Sequence, residues 1–360
     1  MTHRLELMCV VAAALATGCG GEVAGPTVDG RAELLQTLVD DVLIPRHEDF
    51  RTQAAAMARA MEAHCEAPTT ESFEEARRAW DAARGAWKRR EVFAYGPFRE
   101  FPERLGPVVD TWPVREESVI EILEGGGGVD ADAVGSYGST TRGFPVLEYL
   151  MFGPDEDFAQ VSPERRCGYM VGAAVDLERS AQAFYVAWTT PGGYGDALRS
   201  PGSTEDGMYE SVQEAMSEVV NRMWYTIENM RRDKLGKPVG DETGGAAQPT
   251  SVESYYGRRS KQDLLDALAT VDELFEIEGG IASHPRVAAR DELVGRFRDT
   301  MRDARAAIEA IDGPLSEAVV EDNASARAAL DALAPLQNTI QVDLVGILSL
   351  DISFNDADGD

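Results

Sequence analysis

An all-α fold is what this sequence predicts, and three features carry the prediction. Apolar residues recur at alternating steps of three and four over long stretches, no stretch alternates apolar and polar residues long enough to argue a sheet, and glycine and proline gather in a few short segments. Downstream of Cys167, the residues Met170, Ala174, Leu177, Ala181, Phe184 and Trp188 form one stripe. Tyr209, Val212, Met216, Val219, Met223, Ile227 and Met230 form a second. Leu330, Leu333, Ile340, Leu344 and Ile347 form a third, with Pro335 expected to kink or divide it because its ring removes a helical hydrogen bond. Stripes of this kind are seams that face a core.

Taken in order, the first long helix is expected over residues 31–65 with a bend at Pro45, followed by a turn at Pro68 and a second helix opening near Thr70. Pro102, Pro107 and Pro113 make the next stretch irregular; a short helix follows over residues 116–123, then a turn at residues 125–128. Phe144 precedes a proline and is biased toward extended geometry, so the next helix is expected to begin at Pro145. Two segments break the periodicity, residues 189–206 and 236–250, both rich in glycine. The first is the preferred domain boundary, which divides the chain into an N-terminal unit, residues 30–194, and a C-terminal unit, residues 195–360.

The chain has 360 residues, 44% of them hydrophobic, enough for two ordinary cores. Its 34 basic and 63 acidic residues give a formal charge of -29, which disfavours nucleic acid and anionic lipid as partners for any broad surface. The start reads as a targeting segment: Arg4 supplies a positive region, residues 7–16 a short apolar core, and Leu15-Ala16-Thr17-Gly18-Cys19 resembles a lipobox. On that reading residues 1–18 are a lipoprotein signal peptide, Cys19 carries the lipid, and residues 19–29 are a flexible tether; an ordinary secretory signal is the other reading. Of the four cysteines, this leaves Cys65 and Cys167 as an even pair in an oxidising compartment, expected to be joined, with two buried free thiols as the alternative.

Two clusters stand out chemically. In Gly143-Phe144-Pro145-Val146-Leu147-Glu148-Tyr149-Leu150-Met151-Phe152-Gly153 a single carboxylate lies among apolar neighbours, so Glu148 requires a partner from elsewhere: an arginine, a backbone cluster or a metal ion. Trp80, Arg84, Trp87 and Glu91 are spaced by four, three and four, which puts them on one helical face with the Arg84 guanidinium between two indoles and Glu91 one turn on.

Both clusters resemble signatures of the imelysin family of bacterial envelope proteins, some described as insulin-cleaving membrane proteases and some as parts of iron-uptake systems. Asp110-Thr111-Trp112-Pro113 is similar to the family's Asn-x-Trp-Pro segment. Glu253-Ser254-Tyr255-Tyr256-Gly257-Arg258-Arg259-Ser260 is similar to its Glu-Ser-x-Tyr-x-x-x-Ser segment, although Ser260 also suits an N-cap with Asp263 assisting. The family often carries Gly-x-His-x-x-Glu where this chain has Gly143, Pro145 and Glu148, so the histidine donor is missing.

The resemblance implies two packed helical bundles with a polar ligand site near their junction, built from Glu148, Glu91, Arg84, Trp112, Glu253 and Tyr256. It also implies an iron or other divalent metal ion as a possible cofactor, iron-uptake components as partners, and a lipid-anchored place facing the periplasm, at the outer membrane. A metallopeptidase is the alternative activity. The sequence contains no His-Glu-x-x-His and no Gly-x-Ser-x-Gly, and His47, His64 and His284 are not spaced to share a helical face. The end, residues 354–360, matches how family members finish, and its alternating carboxylates stop short of a calcium loop.

Overall fold

The computed structural model describes residues 30–100, 103–203, 207–321 and 323–351, and these contain helices, turns and loops but no strand. Residues 1–29, expected as signal and tether, and the carboxylates of residues 354–360 lie outside the described residues. The principal helices are α1 (Arg31–Thr37), α2 (Ile44–Glu66), α3 (Thr70–Arg89), α4 (Gly143–Phe152), α5 (Pro163–Thr189), α6 (Val212–Asn229), α7 (Ser260–Glu276), α8 (Asp291–Glu309) and α9 (Asn323–Asn338). No helix among the described residues is long and apolar enough to cross a membrane.

Local chemistry accounts for the helix limits. Helix α3 opens as expected at Thr70, because the Thr69 hydroxyl accepts from the Ser72 amide while Ser72 Oγ accepts from the Thr69 amide. Pro45 sits at the start of α2 directly after a π-helical stretch, Leu38–Leu43, whose wider turn accommodates the lost donor without breaking the helical path. Helix α4 begins at Gly143, two residues before the expected Pro145. The first N–H groups of a helix have no internal partner, so a proline in the first turn removes nothing the helix needs. Pro335 likewise lies inside α9 and does not divide it; the change comes later, as a π-helical stretch over Thr339–Leu344.

The described apolar side chains form two clusters. One gathers Phe50, Met57, Met61, Trp80, Trp87, Phe144, Leu147, Leu150, Tyr169, Leu177 and Phe184 from α2, α3, α4 and α5. The other gathers Met216, Met223, Leu264, Leu268, Phe275, Phe297, Met301, Leu333 and Leu336 from α6 to α9, and it also takes Leu34 to Leu43 of the opening helical run. The expected stripe on α5 is buried throughout, from Met170 to Trp188, but Trp188 itself belongs to the second cluster. Cys65 at the end of α2 and Cys167 on α5 form a disulfide across the first bundle, with Cα atoms 5.6 Å apart. The two bundles meet where α3 packs on α7.

Candidate functional site

The α3–α7 seam is made of charge rather than hydrocarbon. Arg84, fully buried, donates from Nη1 to Asp110 at 2.7 Å and from Nε and Nη2 to Asp263 at 3.2 and 3.1 Å. One turn on, Lys88 donates to Asp110 at 2.7 Å and to Glu253. Lys234 places its ammonium 2.6 Å from both oxygens of Glu91 and 3.2 Å from Glu253. Arg259 binds Asp81 and Asp266, each at 2.6 Å, and Asp263 at its side. Arg89 reaches Asp266 as well. Five cations therefore face five inner carboxylates, Glu91, Asp110, Glu253, Asp263 and Asp266, and the more exposed Asp81 and Asp49 join at the edge through Arg259 and Arg89.

Burial and pairing pull these groups in opposite directions, and pairing wins for most. Burial disfavours the charge on Asp110, but Arg84 and Lys88 hold its carboxyl well below the usual range. Asp263 and Glu91 are depressed in the same way, by Arg84 and Arg259 and by Lys234 and Lys88 respectively, against the burial that opposes them. Glu253 goes the other way: burial raises it, and Lys234 and Lys88 only partly offset that.

Glu148 stands outside this network. It is 3% exposed, and Oε1 accepts the backbone N–H groups of Tyr256 at 2.7 Å and Gly257 at 2.8 Å. Of the three partners the sequence left open, the backbone cluster is the one observed. No described cation lies within ion-pair reach, although Arg84 is close enough to favour the charged form. Burial outweighs those contacts and pushes the carboxyl up to about 7. Helix α4 can carry Glu148 to this position because Gly143 takes a left-handed backbone, φ +76, where a Cβ would meet the Val109 carbonyl oxygen at 2.3 Å. Gly257 serves the facing loop similarly, since a Cβ there would meet the Trp80 ring at 2.7 Å.

A cleft of about 550 Å³ opens beside Glu148. Residues 112–117 and Pro145 form one side and residues 250–253 with Tyr255 and Tyr256 the other, so each half of the chain supplies a wall. Glu116, Glu117, Glu148 and Glu253 make its lining acidic, against Arg115 alone. Tyr256 spans the entrance, with its hydroxyl donating to Glu116 and its ring 5.3 Å from that of Tyr149.

The predicted residues fall into two groups. Glu148, Trp112, Glu253 and Tyr256 line the cleft, whereas Arg84 and Glu91 lie behind it in the ion network. The predicted face of α3 needs correction in two respects. Arg84 is not held between indoles but lies over the Phe144 ring at 5.3 Å, and Glu91 has left the helix for a tight turn, Glu91–Phe93, where it meets Lys234. Ser260 is not an N-cap either; its hydroxyl accepts from the Ser254 amide at 3.0 Å and closes the loop, while Asp263 is taken up by the network. Sequence reasoning missed Lys88, Lys234, Asp263 and Arg259 as members. The Arg84/Lys88 spacing of four, two cations on one face beside buried tryptophans, is a signal for the first of these. Lys234 sits in a π-helical stretch, Met230–Gly236, whose facing no simple periodicity reveals.

Two helical bundles joined by a buried ion network, with an acidic cleft at the seam, define the class of protein. The imelysin family profile matches residues 43–341, and the chain belongs to that family. It is similar to iron-regulated protein A of Synechococcus elongatus, 27% identical over 263 residues that make up 72% of this chain and 67% of that one. Its fold is similar to the crystal structure of an imelysin-like protein from Psychrobacter arcticum, with a TM-score of 0.74, 17% identity, and 90% and 97% of the two chains covered. A crystal structure described as an iron-regulated protein A precursor, from Parabacteroides distasonis, gives a TM-score of 0.73 at 21% identity, covering 91% of this chain and 96% of that one.

Proposed function

We propose that this chain is a non-enzymatic binding protein of the bacterial envelope that takes part in acquiring iron or another metal, and that its ligand seats in the junction cleft. One observation carries the reading: Glu148 is a buried carboxyl fixed by two backbone N–H groups, unmatched by a described cation, at the wall of an acidic cleft. A ligand with positive charge or hydrogen-bond donors supplies what that carboxyl lacks.

The side chains do not make a complete shell for a bare ion. Among the described residues no three of His, Cys, Asp or Glu converge on a metal position, Pro145 offers no donor atom, and Glu253 and Glu116 are engaged by lysines and by Tyr256. The ligand class that suits the cleft is therefore a metal that brings most of its own ligands, a small chelate, with Glu148 completing or orienting it. The names of the similar proteins refer to iron, which supports placing this one in the same setting. On this reading the mature chain is anchored through lipid on Cys19 and faces the periplasm at the outer membrane.

Isothermal titration with ferrous, ferric, zinc and calcium ions and with ferrioxamine B, a ferric chelate of net positive charge, repeated on Glu148→Ala, tests the proposal. Ferrioxamine B is expected to bind wild type and to lose at least about tenfold in affinity in the variant, the loss of a single charge-assisted contact. Absence of binding by all five probes, or equal binding by both proteins, defeats it. Chelator-sensitive cleavage of an unfolded polypeptide by the purified chain would favour the metallopeptidase instead.

A further inference from the structure

On the far side of the ion network, where the two apolar clusters meet, Arg90 is fully buried with no carboxylate in ion-pair reach among the described residues. This sets it apart from Arg84, Lys88, Lys234 and Arg259, each of which has at least one. Its guanidinium stacks 4.1 Å from the Phe184 ring centre and 4.5 Å from that of Trp87. Its protein hydrogen bond is a long one, Nη2 to the Phe93 carbonyl at 3.5 Å, and both Nε and Nη1 reach no described acceptor.

The neighbours have polar atoms in the same condition. Trp188 Nε1, Tyr95 Oη and His47 Nε2 are buried and unpartnered. The Tyr95 and His47 rings pack on Trp188 at 5.4 and 5.3 Å, and His47 faces Phe184, the ring under Arg90, at 6.2 Å, so the four polar side chains are linked through one run of aromatic contacts, an aromatic box. His47 Nδ1 faces the Leu43 carbonyl at 2.8 Å and so carries the proton, which leaves Nε2 as a lone pair. Counting unpartnered groups, the box offers Arg90 Nε–H and Nη1–H, Trp188 N–H and Tyr95 O–H as donors, against the His47 Nε2 lone pair and the Tyr95 oxygen as acceptors. It is rich in donors and carries a positive charge.

Native interiors rarely leave so many buried polar atoms unsatisfied, and such atoms mark places for ordered water or ions. Ring faces offset part of the cost of burying a guanidinium, and water can accept its hydrogen bonds, but neither cancels its charge. Arginine cannot escape by releasing its proton at neutral pH, even with its pKa lowered by burial to about 9. We propose that the Arg90 box is a binding site for one small monovalent anion of halide size, held by the guanidinium, the Trp188 N–H and the Tyr95 hydroxyl, and that the anion stabilises the meeting of the two bundles.

Two measurements on the intact chain test this. Crystals soaked in sodium bromide should show an anomalous peak in contact with the Arg90 guanidinium. Thermal melts at constant ionic strength, with chloride replacing the bulky anion gluconate, should show Tm rising by about 2 °C for each tenfold increase in chloride above its dissociation constant. Arg90→Met should lose that dependence. An empty box in the bromide map, a bromide peak without any chloride dependence of wild-type Tm (an adventitious ion only), or equal chloride dependence in Arg90→Met overturns the proposal. Should Arg90→Met fail to fold, the two wild-type measurements decide.

Discussion

Replacing Glu148 by glutamine keeps the shape of the side chain and an oxygen for the Tyr256 and Gly257 amides, and removes only the charge. Its effect on stability can be worked out from the carboxyl's environment. In the folded chain the group is held up to about 7, against an ordinary value of 4.5. Between those two pH values the folded state keeps the proton and the unfolded state has released it. The folded state then binds more protons, so stability falls as pH rises through the window. The slope is about 1.4 kcal/mol per pH unit, which accumulates to about 3 kcal/mol by pH 8 and is relieved below about pH 4.5. Glu148→Gln does not titrate and escapes this penalty. Urea denaturation of both proteins from pH 4 to pH 8 should therefore show the variant's advantage growing by about 3 kcal/mol with rising pH. Taking the difference cancels the titration of groups the two proteins share. A difference that stays flat, or shrinks toward alkaline pH, refutes the reasoning.

Three other perturbations have expected outcomes. Arg84→Met strands parts of Asp110 and Asp263 in the interior and should cost about 3 to 5 kcal/mol at neutral pH, measured by urea denaturation; a cost under about 1 kcal/mol would mean the network relaxes to water. Gly143→Ala forces a side chain into the Val109 carbonyl at a left-handed position and should cost about 2 kcal/mol or more, read as a lower Tm with helix content unchanged. Reducing the Cys65–Cys167 bond, which links residues 102 apart, should remove about 4 to 5 kcal/mol in the chain-entropy picture. Without reductant both cysteines should resist alkylation, as mass spectrometry of peptides containing them will show.

The all-α class was legible because burial on a helix repeats every three to four residues: the α5 stripe from Met170 to Phe184 faces one core as read, and Trp188, buried too, turns to the other. The disulfide was legible by counting cysteines. Glu148 was legible because a lone charge among apolar neighbours announces a missing partner. What supplied that partner was not, since backbone N–H groups leave no mark in a sequence and only a glycine, Gly257, hints at a close approach. Ion pairing across the seam was not legible for a related reason. Spacing along α3 put Arg84 and Glu91 on one face, yet the chain turns out of the helix at Glu91, and Arg84 finds Asp263, separated from it by 179 residues. Local periodicity fixes which face a side chain occupies, and the arrangement of bundles decides what stands opposite.

The account rests on one carboxyl from the first half of the chain being enclosed by backbone from the second, beside the cleft where a ligand would seat. The most direct measurement is the titration of the Glu148 side-chain carboxyl carbon by NMR, in protein labelled at glutamate and with the resonance assigned by its disappearance in Glu148→Gln. A midpoint close to 7 is the predicted result. A midpoint near 4.5, the ordinary value for a glutamate in water, would contradict the enclosure and with it the site.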